Sequence, residues 1–275
     1  MITALPRVAL AVADYGAAVA TFRDVFGMPV LDFSDRTVPD LGAHVGMCMP
    51  RGGSNVELMA PGNPDLPLSQ AIQRTLDRRG EGFYALMLEA PVPDDEAVEL
   101  AARGLDVLPL MAGAGGRDVH PRSTSGVLVR VYPNDSVVDP GGLTSTEPGL
   151  TGILRAVVAT DDLDAAARAY GTGFGLHLSD PVVDEHRGLR TVVATPPKGG
   201  VIELAAVVDA TRPAAAAVAA TLAGRGPGLH AIVLGAADPA AATALLRRRG
   251  VRAHDDGTGD LDVFGARVAV DAFTP

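Results

Sequence analysis

Tryptophan is absent from these 275 residues, and lysine and cysteine occur once each. The lone Cys48 excludes an internal disulfide and any cysteine-rich zinc site. The lone Lys198, in a "PPKGG" turn, leaves almost no candidate for Schiff-base chemistry. Positive charge is scarce too: 23 Lys and Arg against 33 Asp and Glu give a formal net charge of −10, which argues against a nucleic-acid-binding surface. No apolar run is long enough to span a bilayer, and the start "MITALPRVAL" lacks the basic region and cleavage site of a secretory signal. A cytoplasmic chain without membrane or nucleic-acid partners is expected. Aromatics make up 4% against 47% hydrophobic residues overall, so the core of this globular composition must be built from Val, Leu and Ala.

What the chain has in abundance is repetition. "GEGFYALMLEA" at 80–90 returns as "GPGLHAIVLGA" at 226–236, an offset of 146 that also separates Glu57 in "NVELMA" from Glu203 in "VIELAA" and Gly104 from Gly250. Arg7 and Arg155 are 148 apart. The chain is therefore two homologous halves. Each half repeats again: Arg7 to Tyr84 and Gly27 to Gly104 span 77 residues, Arg155 to His230 and Gly175 to Gly250 span 75. Each of the four units opens with period-two alternation, continues into an Ala-rich helical run and reaches a glycine where the helix should end. Short strands follow, divided by turns such as "RGG" and "KGG". The prediction is an α+β fold, βαβββ four times, in halves spanning 1–135 and 150–275. A linker rich in Pro, Gly, Ser and Thr joins them at 136–149.

In order and spacing, "ADYGAAVATFRDVFGM", "NVELMAP", "GEGFYALMLEA", "VHPRSTSGVLVRVYP" and "GPGLHAIVLGA" resemble the vicinal oxygen chelate superfamily. That superfamily includes glyoxalases, bleomycin-resistance proteins, extradiol dioxygenases and methylmalonyl-CoA epimerases; "VHPRSTSGVLVRVYP" is most similar to the epimerase branch. The resemblance covers nearly the whole chain. It implies two cupped mixed sheets, each from two βαβββ units, with helices outside and a site inside the cup. It also implies metal-ligand positions, typically His, Glu or Gln, His and Glu, on the first and last strands of the units. Carried over, the first cup has Arg7, Glu57, Tyr84 and Arg130. The second has Arg155, Glu203, His230 and Ala269, with Asp271 two residues on. Arginine cannot give up its proton to ligate a metal, and tyrosine rarely does. Neither cup keeps the three ordinary ligands a divalent site normally wants, so no metal and no other cofactor are expected.

Alternation sends Val8, Leu10 and Val12 beneath the helix and Arg7, Ala9 and Ala11 into the first cup. Likewise Val127, Val129 and Val131 turn outward while Leu128, Arg130 and Tyr132 turn inward. Arg7 and Arg130 against Glu57 leave one formal positive charge, and Tyr84 and Tyr132 add ring surface suited to a planar ligand. The first cup is therefore the expected ligand site, lined by Arg7, Glu57, Tyr84, Arg130 and Tyr132, with Glu57 and Tyr84 as the catalytic candidates. Guanidinium would stand where the metal cation stood and hold a carboxylate, enolate or thioester oxygen. Arg155, Glu203 and His230 are the second-cup candidates. The bland reading of Arg7 with Glu57, and of Arg155 with Glu203, is a buried ion pair joining strands.

Other motifs are read as structural. "HDDGTGDLD" at 254–262 lacks the EF-hand order and its closing Glu, and "AGAGG" at 112–116 lacks the Lys-Ser/Thr ending of a phosphate loop. His120 is read as packing, and His44, His177, His186 and His254 fall outside any constellation. The expected function is binding of a small anionic or aromatic organic molecule by a monomer or homodimer. It would serve sequestration or metal-independent isomerase, lyase or cyclase chemistry. Two alternatives stand beside it: a metal-dependent epimerase or glyoxalase-like lyase using Glu203 and His230, and a non-catalytic scaffold with closed cups.

Overall fold

The structure, a computed structural model, describes residues 1–34, 41–111, 113 and 115–273. In the N-terminal half, β1 (Ala4–Ala11), β2 (Val30–Asp32), β3 (Ala43–Cys48), β4 (Asn55–Pro61), β5 (Gly82–Ala90), β6 (Arg117–Val119) and β7 (Val129–Pro133) pair in the order β2-β3-β4-β1-β5-β7-β6. The strands that open the two repeats, β1 and β5, lie antiparallel at the centre. The closing strand of each unit runs parallel beside them, β4 next to β1 and β7 next to β5. This is the local two-fold arrangement expected of paired βαβββ units.

The C-terminal half repeats it with β8 (Ile153–Ala159), β9 (His177–Leu178), β10 (Val182–Asp184), β11 (Leu189–Thr195), β12 (Val201–Val207), β13 (Gly228–Ala236), β14 (Arg252–Ala253), β15 (Leu261–Val263) and β16 (Ala266–Ala272). β8 and β13 are antiparallel at the centre, flanked by β12 and β16 in parallel. The copies differ at their edges. One strand of the second unit is reduced to a single Val107–Val119 bridge, and the third unit gains β9 against β11. Residues 136–149 are irregular, and positions 112 and 114 of the "AGAGG" loop lie outside the described residues.

The helices are, in chain order, α1 (Tyr15–Ala20), α2 (Pro67–Arg79), α3 (Pro93–Ala102), α4 (Leu163–Arg168), α5 (Pro213–Arg225) and α6 (Pro239–Arg248). Asp14, Asp162 and Asp238 open α1, α4 and α6, each side chain accepting from a backbone N–H three residues on, which satisfies an otherwise orphaned donor. α1 and α4 run into π-helical turns, Thr21–Val25 and Ala169–Gly173, that deliver Phe22, Phe26, Tyr170 and Phe174 fully buried into the core. Among the described residues no helix is long and apolar enough to cross a membrane.

Val8, Leu10, Val12, Val129 and Val131 share one apolar cluster with Ala156, Val158, Ile232 and Leu234. The helix-covered faces of both sheets thus meet in a common core, and the alternation of β1 and β7 is as the sequence predicts. The joints are tight. Gly199 (φ +89°) carries its backbone against β1, where an added Cβ would sit 2.1 Å from the Leu5 carbonyl oxygen. At Gly126 (φ +78°) a Cβ would lie 1.8 Å from the Pro227 oxygen. Both positions need glycine for conformation and for space.

Two helices were not anticipated from the repeats, because they lie between units. α2 lays Leu68 and Ile72 over Ala9, Ala11, Met59, Ala85 and Met87 on the cup face of the first sheet. α5 lays Ala215, Val218 and Leu222 over Val157, Ala159, Ala205, Ala231 and Val233 on the second. Each cup therefore has a helical roof. The first is filled by methionine, leucine and isoleucine side chains, the second mostly by alanine and valine.

Candidate functional site in the second cup

Strand register brings the repeated positions into matching rows. Arg7, Met87 and Arg130 lie abreast on β1, β5 and β7, and Arg155, Val233 and Ala269 lie abreast on β8, β13 and β16. Ala269 is thus the counterpart of Arg130. Glu57 pairs in register with Ala9 and Glu203 with Val157, again equivalent. In both halves the central pair slips by a β-bulge, between Ala9/Ala85 and Leu10/Phe83 and between Leu229 and Ala231. The bulges sit at Tyr84 and His230, turning two consecutive residues toward the cup where strict alternation would allow one.

The first cup gathers most of its expected residues into one buried network. Arg7 Nε donates to Glu57 Oε2 at 2.9 Å, and Arg7 Nη1 to Ser136 Oγ at 2.7 Å. Ser136 in turn donates to Glu89 Oε1 at 2.7 Å from its hydroxyl and 2.9 Å from its N–H. The Tyr132 ring lies 4.4 Å from Arg7 Cζ, a cation–π contact. Tyr84 makes no hydrogen bond to this set among the described residues, and burial pushes its phenol up to about 12, so it holds its proton at neutral pH.

The expectation of a spare positive charge in the first cup is overturned. Arg130 is clamped by Asp118, directly opposite on β6, with Nε to Oδ1 and Nη2 to Oδ2 both at 2.5 Å. Burial alone would lower the Arg130 pKa, but Asp118 and Tyr132 outweigh it and the guanidinium stays charged. Two arginines therefore face three carboxylates, Glu57, Glu89 and Asp118. Arg7 and Arg130 are 3% and 5% exposed, and Met59, Met87, Leu68 and Ile72 are buried together on the same cup face. This fits the ion-pair reading.

The second cup is built differently. A pocket of about 300 Å³ is lined by Arg155, Arg187, His186, His230, Thr258, Asp260 and small apolar residues, including Val157, Val218, Val233 and Ala269. Glu203, 2% exposed, is approached by Arg155 Nε at 2.8 Å and by Arg187 Nη1 at 2.6 Å. The Arg155 N–H does not point along that line and finds no acceptor. Both arginine side chains remain 32% exposed, and Asp271, itself 59% exposed, reaches Arg155 Nη2 at 3.6 Å. One buried carboxylate is thus shared by two open guanidiniums.

His230 places Nδ1 2.8 Å from Thr221 Oγ1 of α5. Burial, then the positive charge of Arg267, pushes its pKa down to about 3, so the ring is neutral. Arg267 holds the loop that hinted at calcium: it donates to Asp256 at 2.5 Å, Asp260 at 3.0 Å and Thr258 at 2.9 Å. Those carboxylates are engaged internally, and Asp256 is held well below the ordinary carboxylate range. Burial works against that depression, while hydrogen bonds from Arg267 and Thr258 produce it. His120 Nδ1 accepts from Arg122 N at 3.1 Å and caps a short turn.

A metal of the superfamily's type does not fit these donors. Arginine occupies three ligand positions, at 7, 130 and 155, Glu57 and Glu203 answer arginines, and His230 Nδ1 faces a hydroxyl. Among the described residues, no three His, Cys, Asp or Glu side chains converge as a metal site. Elemental analysis of protein purified without added metal is expected to find far less than one equivalent of Zn, Mn, Fe, Co or Ni. A stoichiometric metal that disappears in Glu203→Gln would contradict this.

Residues the sequence reading missed are Asp118, Glu89 and Ser136 in the first cup, and Arg187 and Arg267 in the second. Asp118 had a signal, since a hairpin turning at 121–127 puts it opposite Arg130. Arg187 had none, because it comes from the turn between β10 and β11.

Comparison with known proteins bears directly on this arrangement. Comparison with curated protein sequences gives no match. Among solved structures, a triple mutant of 4-hydroxymandelate synthase from Streptomyces coelicolor superposes with a TM-score of 0.64 at 18% identity, covering 91% of this chain and 76% of that one. A xylose isomerase-like TIM barrel/4-hydroxyphenylpyruvate dioxygenase fusion protein gives 0.59 at 18% identity, over 91% of this chain and 39% of its own. A variant of Streptomyces coelicolor methylmalonyl-CoA epimerase covers 51% of this chain and 100% of its own, at 22% identity and a TM-score of 0.42. At such identities the likeness is one of fold. A family model described as the glyoxalase/bleomycin resistance protein/dioxygenase superfamily matches twice, over residues 7–120 and 155–267, the same two halves that the repeats and the sheets define. The chain belongs to that superfamily.

Proposed function

We propose that this protein binds a small organic anion in its C-terminal cup, without a metal. The observation that carries the reading is the open pocket in which Arg155 and Arg187, each about one-third exposed, share the single buried Glu203. Buried charge normally arrives paired, and a ligand carboxylate or enolate would supply the second negative partner through forked hydrogen bonds. The apolar walls suit the organic body of such a molecule, and about 300 Å³ is the small end of ligand pockets.

Binding is favoured over turnover by the state of the groups that could move a proton. A general base works best with a pKa near the working pH. His230, with its pKa near 3, is a weak base. Glu203 is held by two guanidiniums. Sequestration is therefore the role the geometry supports best. The first cup, closed by its own ion pairs, serves as the structural partner of the second.

The test is equilibrium dialysis or calorimetry with a panel of aliphatic and aromatic monocarboxylates. Arg187→Gln should weaken whichever acid binds by about tenfold, equivalent to ~1.4 kcal/mol, with circular dichroism checking that the variant is folded. If no acid on the panel binds saturably, or if Arg187→Gln binds as well as the parent, the reading fails.

A further inference from the structure

A second cavity lies where the two halves meet, between the C-terminal ends of α2 and α5, the first residues of β5 and β13, and residues 120–128. Its volume is about 420 Å³. Arg74, Arg78 and Arg79 of α2 and Arg225 of α5 line it, all exposed. Among the described residues none of the four is in an ion pair or donates a side-chain hydrogen bond, whereas Arg7, Arg117, Arg130, Arg187 and Arg267 all do both. In a chain with ten more acids than bases, a carboxylate partner would be easy to supply. The acid on this rim, Glu81, is spent elsewhere, with Oε1 accepting from the Ala13 N–H at 2.8 Å.

Basic residues in a helix's last turn are favoured by its dipole, which accounts for Arg78, Arg79 and Arg225 singly. It does not account for Arg74, more than a turn earlier in α2, nor for the convergence of two helices from different halves on one cleft. Like charges this close repel, and the repulsion is relieved by an anion of more than one charge. The cleft also has a flat apolar side formed by Phe83, Tyr84, Leu108, Leu128 and Leu229. Tyr84, packed against the first-cup cluster, thus also borders this cleft.

We propose that the cleft between the halves is a second binding site, for a small ligand carrying two or more phosphate groups. Guanidinium forks match phosphate oxygens in geometry and charge, and the apolar side receives the remainder of the ligand. This site is separate from the second cup and stands whether or not that cup binds a carboxylate.

The probes are inorganic tripolyphosphate, pyrophosphate and orthophosphate, titrated calorimetrically at low salt. Tripolyphosphate should bind one per chain and more tightly than pyrophosphate, with orthophosphate weakest. The double variant Arg74→Gln/Arg225→Gln should lose about tenfold or more in affinity for tripolyphosphate. The charge-matched control Arg51→Gln/Arg168→Gln, at two exposed arginines that do not line the cleft, should stay within about twofold of the parent. All six side chains in question, including Arg78 and Arg79, are exposed, so folding should be unaffected; circular dichroism checks it. Absence of saturable binding, or equal weakening in both double variants, would overturn the proposal.

Discussion

Arg130→Met is expected to destabilise the chain by about 3–5 kcal/mol, the usual cost of removing one partner from a buried pair. The side chains of Arg130 and Asp118 are 6% and 10% exposed and meet through two parallel hydrogen bonds. Methionine fills much of the arginine's length but leaves the Asp118 carboxylate buried without a cation. The double variant Arg130→Met/Asp118→Leu should recover most of the loss, since an apolar pair of similar size is often as stable as a buried ion pair. Arg23→Met, which breaks the Arg23–Asp24 pair with both side chains more than half exposed, should change stability by less than about 1 kcal/mol. Chemical unfolding of the four proteins decides the matter. A loss below about 1 kcal/mol for Arg130→Met would show that Asp118 does not depend on its partner.

The second large effect is on acid stability. In the unfolded chain the His230 imidazole should titrate near its ordinary value of 6.5, but in the fold it stays neutral down to about pH 3. Between those values the unfolded state binds the extra proton, so stability rises with pH across the window. The contribution is fully present above about pH 6.5 and is lost as pH falls toward 3. Its slope approaches ~1.4 kcal/mol per pH unit for one proton. Asp256, also depressed in the fold, adds its own loss only as pH falls through its ordinary value of 3.8 and below. The interval from pH 6.5 to 4.5 therefore isolates the histidine. His230→Gln keeps a polar group near Thr221 but cannot titrate, and it should flatten the stability profile over that interval. Two-dimensional NMR of the parent should show no His230 titration above pH 4.5. A His230 that titrates near 6.5 in the folded protein would remove the basis for this effect.

The fold was legible because repetition constrains it four times over. Offsets of 146 and 148 between the halves place equivalent residues at register-matched strand positions, and Val8, Leu10, Val12, Val129 and Val131 face the core that alternation assigns them. What repetition could not show lies outside the repeating unit. α2 and α5 occupy the connections between units, and their fit over the cup faces decides which cup is full. Met59 and Met87 fill the first, while Ala205 and Val233 stand at the corresponding positions of the second.

Charge balance was the least legible property. The three residues first considered, Arg7, Arg130 and Glu57, sum to a positive charge. Asp118 and Glu89 reverse it, and they reach the cup by strand pairing and through Ser136 of the irregular segment. In the second half, Arg187 enters from a turn and adds a second guanidinium beside Glu203. A residue contributed by a turn follows no period, so neither alternation nor repeat spacing could announce it. The second cup differs in exposure: Arg155 and Arg187 stay partly open around one buried carboxylate, while Arg7 and Arg130 are closed in.

The location of the ligand site is the central claim, and methyl NMR tests it most directly. Val157, Val218 and Val233 surround the second cup, while Met59 and Met87 report on the first. With methyl-labelled protein titrated with an acid from the binding panel, the account predicts saturable shifts at the three valines and at the His230 ring. Met59 and Met87 should remain in place, and the valine shifts should disappear in Arg155→Gln/Arg187→Gln. Saturable shifts at Met59 and Met87 that survive in that double variant would put the ligand in the first cup and contradict the account.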